Sequence, residues 1–198
     1  MQALNISIKH LTFNIHAAPK ASIPGLAVLG AALAAGGVAT TEAPASIPEV
    51  GQVWPGEGGI NGGFVPARGD VPAHYLIFAS TDVGDHAYGR YGEDSKATSK
   101  TDGHANTLAL LEEGDHTAAK AASEYQADGH TDFHLPAAAQ LYQGWLNCPD
   151  IFDKQAWYVS SSQFSAYIVY VMDFSVGYQH RDYKLLERRV RPVRRKFI

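Results

Sequence analysis

The chain reads as an α+β protein in which strands come first, two helices follow and strands return, with a separate segment ahead of them. Three observations carry this. Residues 158–198 are rich in Tyr, Phe, Val and Ile and are broken by Ser and Gly, which is strand composition with turn punctuation. An Ala-rich run at 116–126 and an apolar stripe after Pro136 have helical character. Nineteen Gly and ten Pro in 198 residues favour a loop-rich fold over a helical bundle.

The first 20 residues place apolar side chains at Leu4, Ile6 and Ile8, then at Leu11, Phe13 and Ile15. This alternation predicts one strand, or two with a slip between them. Residues 22–39 are dominated by Ala and Gly with three Leu. That run has about the minimum length for a membrane span, but its small residues fit close packing against protein better. Residues 40–50 read as a linker, so a domain boundary is placed near residue 50, dividing the chain into 1–49 and 50–198. A short strand and a small-residue run build no core alone, so 1–49 is expected to pack against another subunit or protein.

From Gly51 the character changes. Five Gly fall between positions 56 and 63. Their spacing matches no phosphate-binding fingerprint and no helix pattern follows, so close approach between strands is the better reading. Arg68, Gly69 and Asp70 lie between two apolar runs, 63–67 and 73–79, and are explained by a hairpin turn. Residues 80–106 read as a solvated loop; its acids lack the alternating register of a helix-loop-helix calcium site.

The first helix is predicted over 116–126 with Asp115 as N-cap, and the second after Leu135 with Pro136 at the first helical position. Ala137, Leu141, Tyr142, Trp145 and Leu146 form the stripe of the second. Between them lie Asp128, His130, Asp132 and His134, a set that invites a metal. Hydrogen bonding that ties down loop backbone is preferred, because the run alone guarantees no convergent geometry.

The formal charge of −4 hides an asymmetry: residues 181–198 carry eight Lys/Arg and two Asp/Glu, net +6, which leaves −10 on the remainder. A basic tail suggests nucleic acid, but Val190, Pro192 and Val193 alternate with the arginines. That pattern predicts a closing strand with one buried and one charged face, and no nucleic-acid partner. Cys148 is the single cysteine, so neither an intramolecular disulfide nor a cysteine-based metal site can form. Ser160, Ser161 and Ser162 lack a nucleophile elbow, and no stretch presents nucleophile, base and orienter together. No enzymatic activity, catalytic residue, metal or cofactor is expected.

Several segments resemble one family in their order. They are Asn106 and Thr107; His116, Ala118 and Ala119; residues 128–137; Tyr158 through the Ser160, Ser161, Ser162, Gln163 turn; Asp173, Phe174, Gly177 and Gln179; and the closing 187–195. Together they resemble the Lcl C-terminal domain family (domain of unknown function 1566) of phage and bacterial surface proteins, over about residues 50–198. The resemblance implies a C-type-lectin-like α+β fold: two helices flank twisted antiparallel strands, and the first and last strands pair. Members often carry Trp where this chain has Phe133 and Val159. Related formylglycine-generating enzymes need a cysteine pair that Cys148 cannot supply. The Glu-Pro-Asn and Trp-Asn-Asp motifs of calcium-dependent lectins do not occur.

The resemblance implies a virion-associated phage tail, tail-fibre or baseplate protein whose domain binds a host-surface glycan or protein, or a neighbouring virion protein. Alternatives are a purely structural decoration or collar protein and a bacterial surface adhesin. Residues 1–49 would attach to other virion proteins, no membrane partner is expected, and a homo-oligomer, taken as a trimer, would present several sites. Candidate ligand-binding residues are Gln163, Tyr167, Tyr170, Phe174, Tyr178, His180 and Tyr183. About half of them are expected in the core, because strand faces alternate.

Overall fold

A computed structural model of the chain describes residues 46–198. The strand predicted within 1–20, the small-residue run 22–39 and the linker up to 45 lie outside the described residues. The described part is mixed α+β, with three helices and two sheets.

The first sheet holds β1 (Val53–Trp54), β2 (Gly59–Val65), β3 (His74–Ala79) and β9 (Val193–Phe197), in the order β1-β2-β3-β9. The glycines of β2 are there for close approach. A Cβ on Gly59 would stand 2.1 Å from the Phe78 carbonyl oxygen, and one on Gly62 would stand 2.5 Å from the Phe78 ring. Arg68 and Val71 exchange backbone hydrogen bonds of 2.9 and 3.1 Å around Gly69 at φ 56°, so the Arg68, Gly69, Asp70 run is a tight turn.

The closing strand pairs with β3, not with the first strand, in the register Leu76 to Arg195 and Phe78 to Val193. On its other edge Val193 bridges His134. Burial along β9 falls from Val193 and Arg194 to an exposed Phe197 instead of alternating, and this corrects the expected buried-and-charged alternation. Val193 and Arg194 are both buried. Arg194 is held by Asp132 at 2.7 Å and Glu57 at 2.9 Å, while Arg195 pairs with Asp102 and Lys196 with Glu57. Arg191, also buried, meets Asp82 at 2.6 Å. The basic run is thus neutralised by acids from four distant segments.

The second sheet runs β4-β8-β5-β6-β7, formed by β4 (Asp85–Ala87), β8 (Glu187–Arg189), β5 (Trp157–Gln163), β6 (Ile168–Asp173) and β7 (Tyr178–Tyr183). Its pairs are antiparallel except for one parallel bridge between Tyr158 of β5 and Arg189 of β8. Ser160, Ser161 and Ser162 belong to β5 and are fully buried, where a turn was expected. Their hydroxyls satisfy backbone and side chains that no ladder reaches: Ser160 donates to the Tyr170 carbonyl, Ser162 donates to the Ser99 carbonyl, and Ser161 accepts from Asn106.

The helices are α1 (Gly103–Glu113), α2 (Thr117–Ser123) and α3 (Ala138–Asn147). The first was not foreseen; its first turn lies within residues 80–106, which were expected to be a polar loop. Its exposed side carries Leu108 and Leu111, and its buried side carries Asn106, Thr107 and Leu110, so the apolar spacing that marks a helix is weak. Asp102 caps it by accepting from the Ala105 amide at 2.8 Å. Asp115 sits at φ 58° in the turn between α1 and α2, and His116 holds the N-cap place expected of Asp115. Pro136 lies outside α3, whose N-cap is Ala137 with Gln140 reaching back to its amide at 2.8 Å. The buried face of α3 is Ala138, Gln140, Leu141 and Gly144, whereas Tyr142 and Leu146 of the predicted stripe are exposed.

Two apolar clusters fill the fold. One joins α1 and α2 to the second sheet through Leu110, Ala119, Leu135, Val159 and Val171. The other joins both sheets to α3 through Phe78, Leu141, Phe152, Tyr158 and Phe174, with the Phe152 and Phe174 rings stacked at 3.7 Å. Among the described residues, no helix is long and apolar enough to cross a membrane.

Three buried histidines, His74, His116 and His134, are held neutral chiefly by loss of hydration, His134 down to about 3 from an ordinary 6.5. Below pH 6.5 the unfolded chain binds protons that the fold refuses, so stability falls as pH drops from 6.5 toward 3. Each such ring contributes up to about 1.4 kcal/mol per pH unit. Urea unfolding followed from pH 7 to pH 4 is expected to show this slope, and His134→Leu is expected to flatten it. An unchanged slope in that variant would contradict the assignment.

Candidate functional site

The longest described stretch without regular structure runs from Tyr88 to Asp102 between β4 and α1. Loops of this length are uncommon in compact domains and are usually functional or disordered. This one is fixed. Lys184 follows β7, is fully buried, and aims its ammonium at the inner side of the loop. Its Nζ donates to Gln163 Oε1 at 2.6 Å and to the Glu93 carbonyl at 2.7 Å. Gln163 Oε1 also accepts from the Ser95 amide at 2.8 Å, and the Gln163 amide donates to the Ala97 carbonyl at 2.8 Å. Burial lowers the Lys184 pKa, and the carboxylates of Asp94, Glu113 and Glu93 oppose that fall.

The loop is tied along its outer side as well. Gly89 donates to the Lys184 carbonyl and Gly92 to the Ala166 carbonyl, at 3.1 and 2.9 Å. Gly89 sits at φ 99°, and a Cβ there would lie 2.0 Å from the Asp115 carbonyl oxygen. Only glycine fits that crossing. The Arg90 side chain reaches the Glu113 carbonyl at the end of α1.

These ties carry Tyr91 to the second sheet. Its ring meets Tyr167 at 5.1 Å and 67°, and Tyr183 at 6.2 Å and 59°. Tyr167 lies in the tight turn between β5 and β6, and Tyr183 ends β7 opposite Ile168, one residue beyond Tyr167. All three are about half exposed, at 47, 51 and 52%. Three aromatic rings from three separate segments thus converge on one open surface. Tyrosine rings offer rigid apolar area with a hydroxyl at the edge, and the contacts between rings fix their orientation before any ligand arrives.

The predicted set divides around this patch. Tyr167 and Tyr183 are brought together. Gln163 and Phe174 are not on the surface: Gln163 supports the loop from within, and Phe174 packs in the core. Tyr170 is half-buried under the Lys100 ammonium, 3.9 Å from its ring, and meets Phe164 edge-on. Tyr178 and His180 lie on the opposite face of β7 from Tyr183, because side chains alternate along a strand. There His180 stacks on Trp157 at 4.5 Å with Tyr178 edge-on to it. Tyr91 was missed; its signal is an aromatic between Gly89 and Gly92 in a long polar loop. Lys184 gave none, being one lysine in a basic run.

The loop predicted at 128–134 does tie down backbone: Asp128 accepts from the Gly58 amide, and His130 bonds to the Gly56 carbonyl. Among the described residues no three His, Cys, Asp or Glu are grouped to hold a metal. Cys148 is buried and its thiol is pushed up to about 12. No protein-family model matches the chain, and no curated protein matches it.

If Gln163 is the member that satisfies the buried ammonium, Gln163→Leu leaves Lys184 and the Ser95 amide without that partner. The expected cost is about 3 kcal/mol, read from urea unfolding. A loss below about 0.5 kcal/mol, the range of ordinary surface changes, would show that the contact is dispensable.

Proposed function

We propose that residues 50–198 are a recognition domain of a virion-associated phage protein, in a tail, tail fibre or baseplate, that binds a host-surface glycan or protein. The observation that carries the reading is the convergence of Tyr91, Tyr167 and Tyr183 on an exposed patch held by a buried polar network. A scaffold that spends a buried charge on holding a loop in place favours a working surface there. The resemblance to the Lcl C-terminal family supports the phage context. A C-type-lectin-like fold is supported by the pairing of the opening hairpin with the closing strand and by α3 packed between the two sheets.

Residues 1–49 then serve attachment to other virion proteins, and a homotrimer would multiply a weak single-site affinity. A purely structural collar or decoration protein is the second reading. It is favoured by exposed Tyr142 and Leu146, which line a groove of about 360 Å³ with Val65 and Pro66 beside α3 and suit a neighbouring protein.

Alanine at Tyr91, Tyr167 or Tyr183 is expected to reduce adsorption to host cells by about tenfold or more each, as buried aromatic anchors do, with circular dichroism and melting unchanged. Undiminished adsorption in the triple variant would remove the receptor-binding reading. Deleting 1–49 is expected to abolish incorporation into particles while the separate domain still binds cells; loss of both would assign binding to the N-terminal segment.

A further inference from the structure

The pair buried beneath the irregular loop is an amine beside an acyl carbon. Lys184 is fully buried and Gln163 is 6% exposed. The lysine Nζ lies 2.6 Å from Gln163 Oε1. A C=O bond is about 1.2 Å long, so the carboxamide carbon Cδ lies within about 3.8 Å of that nitrogen. Reacting atoms in near-attack arrangements stand about 3–3.5 Å apart. The Tyr88 ring, itself buried, closes one side with its centre 5.2 Å from Nζ.

The other parts of an acyl transfer surround the pair. The Ser95 amide donates to Oε1 at 2.8 Å, where negative charge gathers when Cδ is attacked. The leaving nitrogen, Gln163 Nε2, donates to Asp94 Oδ1 at 3.2 Å. Asp94 is exposed, so ammonia released there has a way out. The Glu93 carbonyl accepts from Nζ at 2.7 Å and aims the nitrogen. Burial lowers the Lys184 pKa, which raises the share of neutral, nucleophilic amine; Asp94 is foremost among the carboxylates that oppose the fall.

We propose that Lys184 and Gln163 join through a side-chain amide bond that the folded domain forms on itself. Asp94 takes one proton from the ammonium, and the freed lone pair on Nζ attacks Gln163 Cδ. Asp94 hands that proton to Nε2 and takes a second from Nζ as the Cδ–Nε2 bond breaks. Ammonia leaves and carries the second proton away as ammonium. One amide replaces another, and nothing is oxidised or reduced. The drive is the charge: a cation that is costly to bury ends in water. Oε1 keeps the Ser95 amide and Nζ keeps one N–H for Glu93, so the loop stays where the ammonium placed it. Tyr167 and Tyr183 both fall inside the ring closed between positions 163 and 184. The bond does not rest on any receptor-binding role of those tyrosines.

Intact-mass spectrometry of the purified full chain, followed by peptide mapping, tests this. The folded chain is expected to weigh about 17 Da less than its sequence, one ammonia, with the segments holding Gln163 and Lys184 recovered as one branched peptide. Lys184→Met is expected to restore the full mass. Asp94→Ala, at an exposed position, is expected to fold and to form the bond about a hundredfold more slowly after refolding from urea. A folded chain that keeps its full mass after days in buffer overturns the proposal. So does a mass loss that Lys184→Met retains, or one that maps to a succinimide at Asn61 and Gly62 or to a cyclised Gln2. Linking of Asp94→Ala at the parent rate overturns the proton relay.

Discussion

A buried ammonium organises the irregular loop between β4 and α1. Lys184 has no access to water, so its charge must be met by protein oxygen, and the oxygens come from Gln163 on the sheet and Glu93 on the loop. Removing an ammonium from water costs several kcal/mol unless its donors are satisfied. The loop must therefore stay where the lysine needs it. With the loop come Gly89, threaded under Asp115, and Tyr91, set against Tyr167 and Tyr183. A stretch with no helix or strand is made part of the scaffold by one side chain.

The same logic closes the chain. All four basic side chains of the last nine residues are met by a carboxylate, from Glu57, Asp82, Asp102 or Asp132. Those acids stand in the opening hairpin, after β3, at the cap of α1 and in the loop before α3. A C-terminal strand placed beside β3 thus draws the early segments into register. Pairs this deep are weak evidence for added stability, since desolvation offsets much of their attraction. They do penalise any other placement of the strand, because a slip by one residue would turn Arg195 and Lys196 away from their acids.

Much of this was legible in the sequence, and the failures have physical causes. Glycines at 59 and 62 read correctly as close approach, since no helix followed them, and the turn at Gly69 read from its flanking apolar runs. The strands of 158–198 read from composition. Helix α1 did not, because its buried face is Asn106 and Thr107 and its leucines at 108 and 111 face outward. Gln163 read as a surface residue because a buried lysine partner leaves no local pattern. The three serines of β5 read as turn because Ser usually punctuates; here their hydroxyls bond the neighbouring backbone instead. Alternation correctly assigned part of the predicted set to the core, where Phe174 lies, but it could not say which tyrosines would meet a loop 76 residues earlier than Tyr167 in the chain.

The claim that the irregular loop is a fixed platform is open to direct measurement by amide hydrogen exchange on the whole chain. The amides of Gly92, Ser95, Lys96 and Ala97 each donate to a defined acceptor: the Ala166 carbonyl, Gln163, Glu113 and Ser95. The account predicts that Ser95 and Ala97, both buried, exchange as slowly as the amides of β5 and β6, with Gly92 and Lys96 close behind. Exchange of all four at the rate of an unprotected peptide would show a mobile loop, and the tyrosine patch would then have no prepared geometry.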